Sequence, residues 1–275
     1  MIQQRNLHYV IDIDIKGFFD NVSHGKLLKQ MWTLGIRDKK LISIISVMLK
    51  AEVAEIGFPK KGTPQGSIIS PLLSNIVLNE LDWWIASQWE EIPTRHKYKC
   101  NIHSNGIPNK NPIYLALRKT ALKECYIVRY ADDFKIFCRK KSDAEKLFEA
   151  TKQWLKTRLG LDISPEKSQI VNLKRHYSEY LGFKLKAKPK GKKANGNTKY
   201  IVTSHISDKA SRKILEQADK HIKEIFHHSD KETAYRCIGQ YNAFVLGIHE
   251  YYSIATEVSK DFHKISFYVN RTLKD

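Results

Sequence analysis

Residues 126–138 read Tyr126-Ile-Val-Arg-Tyr-Ala-Asp-Asp-Phe-Lys-Ile-Phe-Cys138, two short apolar runs with a pair of adjacent carboxylates between them. The β-branched and aromatic character of Tyr126, Ile127 and Val128, and again of Phe134, Ile136 and Phe137, predicts the two arms of a β-hairpin. Its tip is expected at Ala131-Asp132-Asp133, because aspartate tolerates turn backbone angles. Adjacent carboxylates repel each other, and a divalent cation relieves that repulsion. An ordinary polar turn is the other reading of an isolated Asp-Asp.

A second strand ending in carboxylates favours the cation. Tyr9 to Ile15 alternates, with Tyr9, Ile11, Ile13 and Ile15 facing one way and Val10, Asp12 and Asp14 the other, so Asp14 arrives at the strand's end on a polar face. Gly17 then breaks the strand, and Phe18-Phe19-Asp20 follows. If this strand pairs beside the hairpin, Asp14 and Asp132 can share two hard cations, the arrangement used for in-line displacement at phosphorus. Carboxylate oxygens completed by water suit Mg²⁺.

Four blocks stand in the order found in reverse transcriptases: Asp14-Ile-Lys-Gly-Phe-Phe-Asp20, Gly62-Thr-Pro-Gln-Gly-Ser-Ile-Ile-Ser-Pro-Leu-Leu-Ser-Asn75, Tyr130-Ala-Asp-Asp133 and Tyr180-Leu-Gly-Phe183. Over nearly its whole length the chain resembles the reverse transcriptases encoded by bacterial group II introns, the maturase class. The resemblance implies an α+β fold. A right-hand polymerase palm of antiparallel sheet and helices, with partial fingers, is expected over residues 1–185, a basic connector over 186–205, and an all-α thumb or maturase three-helix bundle over 206–275. It implies RNA-directed DNA polymerisation, the two-metal transfer of dNTPs onto a primer 3′-hydroxyl, with intron RNA binding for splicing and mobility.

The site residues implied by the resemblance follow the blocks. Asp14, the Ile15 carbonyl and Asp132 are expected to hold two Mg²⁺ ions, with Asp133 assisting, and Lys167 is the candidate general acid for the pyrophosphate leaving group. Phe19, five residues after Asp14, faces the sugar and excludes a 2′-hydroxyl. Gln65 and Gly66 line the pocket for the nucleotide and its template base, and Leu181 and Gly182 belong to the primer grip. The implied partners are an intron RNA template, a DNA primer or target, and dNTPs. The family's phosphate-gripping fingers segment is not seen ahead of the first strand, so either the chain is a fragment of a longer polypeptide, or a separate polypeptide supplies those groups as a further partner, or polymerisation is lost. A non-catalytic RNA-binding maturase is the alternative function.

Composition independently calls for a polyanionic partner. The formal net charge is +18, from 47 Lys and Arg against 29 Asp and Glu, an excess that calls for a polyanion, because each neutralised phosphate releases counterions. Lys184, Lys186, Lys188, Lys190, Lys192 and Lys193 adjoin the primer-grip block with Pro189, Gly191 and Gly196 among them, and are expected to form a flexible basic stretch that follows phosphates. A basic membrane-surface protein would need a basic amphipathic helix or an acylation motif, and neither stands out. Four scattered cysteines without Cys-x-x-Cys read as reduced thiols. No signal-like apolar region or membrane-length run is present, so a soluble, cytoplasmic protein with no membrane partner is expected, and the resemblance implies a bacterial one.

Ser23 and Asp38 read as helix caps, and His24, at the start of the first of those helices, as structural. Residues 93–123 turn basic and irregular and are expected to be a surface insertion, either a solvated loop or an RNA contact in which Tyr98 or Tyr114 stacks on bases.

Overall fold

The alternation in Tyr9–Ile15 produces a strand buried on both faces. In the computed structural model, which describes residues 2–52, 57–64, 67–192, 196–227 and 231–273, the chain forms two units, Met1–Val171 and Asn172–Asp275. The first contains α1 (Ile2–Arg5), β1 (Tyr9–Ile13), α2 (Phe18–Asn21), α3 (His24–Thr33), α4 (Lys39–Leu49), α5 (Ser70–Gln88), α6 (Asn111–Leu117), β2 (Cys125–Tyr130), β3 (Asp133–Cys138), α7 (Lys141–Trp154) with a π-helical turn at Leu155–Leu159, and β4 (Gln169–Asn172), in which the division between units falls. The sheet order is β2-β3-β1-β4, and both pairings of β3 are antiparallel.

Apolar side chains of the central strands point both ways. Val10, Ile11, Phe134, Ile136 and Cys138 are all fully buried. Helix α5 packs against β2, and α7 against β1 and β3. Among the caps, Asp38 accepts the backbone N–H groups of Lys40 and Leu41 as its residue type predicts. Ser23 occupies the N-cap of α3 without a side-chain bond.

Residues 93–123 are more ordered than their composition suggests. Pro112 lies at the start of α6, where a missing N–H costs nothing. The helix buries Tyr114 against Trp89 and Tyr126, with the Arg5 guanidinium 4.6 Å above the Tyr114 ring. Tyr114 is therefore a core residue and not a base-stacking platform.

The second unit contains β5 (Ser178–Tyr180), β6 (Phe183–Lys192), β7 (Thr198–Ile206), α8 (Asp208–Phe226), α9 (Lys231–Tyr252) and α10 (Val258–Thr272). The strands form an antiparallel sheet in sequence order. Much of the stretch expected to be a flexible connector is thus a β-hairpin. Phe183, Leu185 and Ala187 alternate with Lys184, Lys186 and Lys188, a strand pattern that the glycines and Pro189 obscure. Three helices follow, as the resemblance leads one to expect. Among the described residues no helix is long and apolar enough to cross a membrane.

Candidate active site

The β2–β3 hairpin closes more tightly than its composition suggests. Tyr130 pairs with Asp133, so Asp133 opens β3 and the turn is Ala131-Asp132 alone. Two-residue hairpin turns require positive φ, and Ala131 takes it, at φ 54°. A residue with a Cβ is strained there, by about 1–2 kcal/mol. Arg129 holds the strained turn: its Nη1 donates to the Ala131 carbonyl and to Asn75 Oδ1, both at 2.8 Å, while Nε and Nη2 grip the Asp82 carboxylate. Asn75 and Asp82 lie on α5, so the helix that follows the Pro-Gln-Gly loop also fixes the hairpin tip. Sequence reasoning missed this clamp, because its partners lie about half a hundred residues upstream.

Asp14 reaches the same end of the sheet. Ile13 pairs with Phe134, which brings Asp14 level with Asp133. The segment after the π-helical turn anchors it: Asp14 N–H donates to Ser168 Oγ (3.2 Å), and its carbonyl accepts from Ser164 N–H (2.8 Å). Both backbone groups of Asp14 therefore point to the Ser164–Ser168 side. Successive strand residues direct their backbone groups to opposite sides. The Ile15 carbonyl is thereby turned away from Ile163, its bridge partner, toward the side of β1 on which β3 lies. The same anchoring brings Lys167 Nζ to 3.7 Å from Asp14 Oδ2.

The carboxylates act on one another. Although Asp133 is exposed, desolvation by the groups around it raises its carboxyl above the ordinary value; Lys135 pulls it down, and Asp12, Asp132 and Asp14 push it further up. Beneath them Lys135 Nζ meets Asp12 Oδ1 at 2.7 Å, a buried ion pair between residues that face each other across β1 and β3. Among the described residues no three His, Cys, Asp or Glu side chains form a ready metal cluster. The arrangement nevertheless fits hard divalent cations. It offers carboxylate and carbonyl oxygens around a concentration of negative charge that a cation would relieve.

Phe18 is buried and Phe19 only half so. Phe19 lines an open cavity of about 750 Å³ with Asp20, Leu49 and the stretch from Phe58 to Pro64. Gln65 and Gly66 lie outside the described residues, as does Lys193.

In the second unit Leu181 (φ 49°) and Gly182 (φ 78°) form the two-residue turn between β5 and β6, with Tyr180 paired to Phe183. Positive φ at both positions defines a type I′ turn. The Tyr251 hydroxyl donates to the Leu181 carbonyl (3.0 Å), and a Cβ on Gly182 would stand 2.8 Å from the Tyr252 hydroxyl. The space above this glycine is filled by α9. Along β6, Lys184, Lys186 and Lys188 face His205, Thr203 and Ile201, all on one face. Tyr177 lies beneath the first two, its ring 5.4 and 5.0 Å from their ammonium groups. A register shift between Pro189 and Lys192 pairs Lys192 with Thr198, which moves Lys192 to the opposite face with Tyr200; Lys190 lies within the shift. The lysines expected to act together are therefore divided between two faces.

Residues 1–185 match the reverse transcriptase (RNA-dependent DNA polymerase) family. The chain belongs to that family. It is 26% identical to the group II intron-encoded protein LtrA of Lactococcus lactis subsp. cremoris, over 94% of this chain and 50% of that protein. It is also 29% identical to protein YkfC of Escherichia coli, over 64% of this chain and 46% of that one. A third relative is the putative COX1/OXI3 intron 1 protein of Saccharomyces cerevisiae, 26% identical over 92% of this chain and 35% of its own length. A solved structure of apo telomerase from Candida tropicalis matches 99% of this chain and 48% of that one, at 11% identity and a TM-score of 0.49. The chain spans about half the length of LtrA. The resemblance to group II intron-encoded reverse transcriptases read from the four blocks is borne out, and the sheet with its helices in the first unit is an α+β polymerase palm.

Proposed function

We propose that this reverse transcriptase extends a DNA primer on an intron RNA template by two-metal nucleotidyl transfer. The supporting observation is that the end of β1 and the tip of the β2–β3 hairpin meet, with Asp14 level with Asp133, the Ile15 carbonyl turned toward the hairpin and Lys167 beside Asp14. Asp14, Asp132 and the Ile15 carbonyl would hold Mg²⁺, with Asp133 assisting. Mg²⁺ held by these residues would supply polarisation of the α-phosphate and activation of the primer 3′-hydroxyl. Lys167, once its ammonium leaves Asp14, delivers a proton to the departing pyrophosphate. The Phe19 ring bars a 2′-hydroxyl, Leu181 and Gly182 contact the primer, and Lys184, Lys186 and Lys188 follow a nucleic-acid backbone, joined by Lys190 and Lys192; Gln65, Gly66 and Lys193, outside the described residues, keep the nucleotide and phosphate roles that the resemblance implies.

The test is incubation with an annealed RNA template, DNA primer and dNTPs. Extension that starts with Mg²⁺ and stops on chelation is expected. RNA binding with no extension at any divalent ion would replace this reading with that of a non-catalytic RNA-binding maturase.

A further inference from the structure

His24, the first residue of α3, is buried, and its Nε2 lies 2.7 Å from the Gly62 carbonyl. A carbonyl only accepts, so this nitrogen carries the proton. The same stretch is fastened to α2, the short helix after β1, by further bonds. Gly62 N–H donates to the Val22 carbonyl (2.7 Å), Thr63 N–H to the Phe19 carbonyl (2.6 Å), and Lys61 Nζ to Asn21 Oδ1 (2.6 Å). Gly62, at φ 100°, allows the approach, since a Cβ there would stand 3.0 Å from the Phe19 oxygen and 3.2 Å from the Asp20 Cα.

These contacts join two parts of the chain that line one cavity: the short helix that presents Phe19, and residues 62–64, which run directly into Gln65 and Gly66. We propose that His24 is a positioning residue for the incoming deoxynucleotide. Its hydrogen bond to Gly62 sets the separation between Phe19 and residues 62–64, and so the width of the slot into which the sugar fits. This rests on the polymerase reading above, in which Phe19 and the loop meet the nucleotide. His24 acts on fit and not on the carboxylate chemistry. A histidine that only filled the core would, when replaced, lower the fraction of active enzyme and leave the fit of the molecules that remain unchanged.

The experiment compares the parent chain with His24→Ala, His24→Gln and Gly62→Ala. It measures steady-state use of dNTPs and rNTPs in Mg²⁺-dependent primer extension, and amide exchange at Gly62 and Thr63. His24→Ala should raise the KM for dNTPs about tenfold, with kcat within about threefold, because the loss is of the order of one buried hydrogen bond. It should also raise the ribo-to-deoxy ratio and speed exchange of both amides about tenfold or more. His24→Gln, whose terminal amide can donate to the same carbonyl, should restore most of the KM and the protection, whereas Gly62→Ala should reproduce the KM and selectivity defects.

Loss confined to kcat, with KM and sugar selectivity unchanged, overturns the proposal; so does parent-like amide exchange in His24→Ala. If the parent extends no primer, the polymerase reading fails. The proposed role in nucleotide fit falls with it, while exchange at Gly62 and Thr63 still decides whether His24 fastens the loop.

Discussion

Replacing Gly182 by alanine should destabilise the second unit by about 2–5 kcal/mol, the sum of two costs that can be separated. The first is conformational. At φ 78° a residue with a Cβ is in the left-handed region, which costs about 1–2 kcal/mol. The second is steric. The new Cβ would lie 2.8 Å from the Tyr252 hydroxyl oxygen, whereas the ring atoms Cε1 and Cζ are at an ordinary 3.6 Å. The Tyr252 ring packs against Phe183 and Tyr251, at centroid distances of 5.1 and 4.8 Å, so relieving the clash means moving packed aromatics, at about 1–3 kcal/mol.

Tyr252→Phe removes the offending oxygen. In that background Gly182→Ala should cost only the conformational part, and the double-mutant cycle should show about 1–3 kcal/mol of coupling. All five tryptophans (Trp32, Trp83, Trp84, Trp89 and Trp154) lie in the first unit. Their fluorescence does not follow this change. Native-state amide exchange in β6 and β7 across urea concentrations does. Equal cost of the alanine in both backgrounds would refute the role given to Tyr252, and a cost below about 0.5 kcal/mol would refute the left-handed turn itself.

Glu124 is buried and held by Arg118 and Arg139, at 2.7 and 2.9 Å. Burial alone would raise its pKa, but the two guanidiniums outweigh that and set it below the ordinary carboxylate value. Its stabilising contribution should be complete above the unfolded-state value and should vanish as pH falls through the lower folded-state value; at neutral pH Glu124→Gln should cost about 2–4 kcal/mol by tryptophan fluorescence. Neutralising Lys184, Lys186 and Lys188 together should flatten the log–log salt dependence of RNA binding by up to about 0.7–0.9 for each phosphate no longer neutralised, and an unchanged slope places the nucleic-acid path elsewhere. Phe19→Ala should raise the ribo-to-deoxy ratio in primer extension by about tenfold or more with a modest fall in dNTP use, and a parent-like ratio means that the ring does not meet the sugar.

The parts legible in the sequence were those written in local pattern. The period-2 alternation of Tyr9–Ile15 and the two apolar arms around Asp132 and Asp133 specified three strands, and their carboxylate ends meet because β1 pairs with β3. What could not be read was set by contacts distant in sequence or by backbone conformation. Arg129 reads as a polar residue in a strand, and only the fold brings Asn75 and Asp82 to it. His24 gives no local sign of Gly62. Around Lys184–Lys199 the charge, Pro189 and the glycines dominated the reading and hid an apolar alternation just as regular as that of β1, while a single register shift divided its lysines between faces. Gly182 was placed in the primer grip by the resemblance alone, and nothing in the sequence points to the Tyr252 hydroxyl that the structure sets against it.

The central claim is that Asp14 and Asp132 serve transfer and not grip. It is tested most directly by measuring Mg²⁺-dependent primer extension and equilibrium RNA affinity on the same preparations of the parent, Asp14→Asn and Asp132→Asn. Removing a carboxylate that holds a catalytic cation forfeits several kcal/mol of transition-state stabilisation, so each variant should lose about 10³-fold or more in extension rate, with its RNA dissociation constant within about twofold of the parent's. Extension that survives in either variant, or affinity that falls in step with extension, would contradict the account.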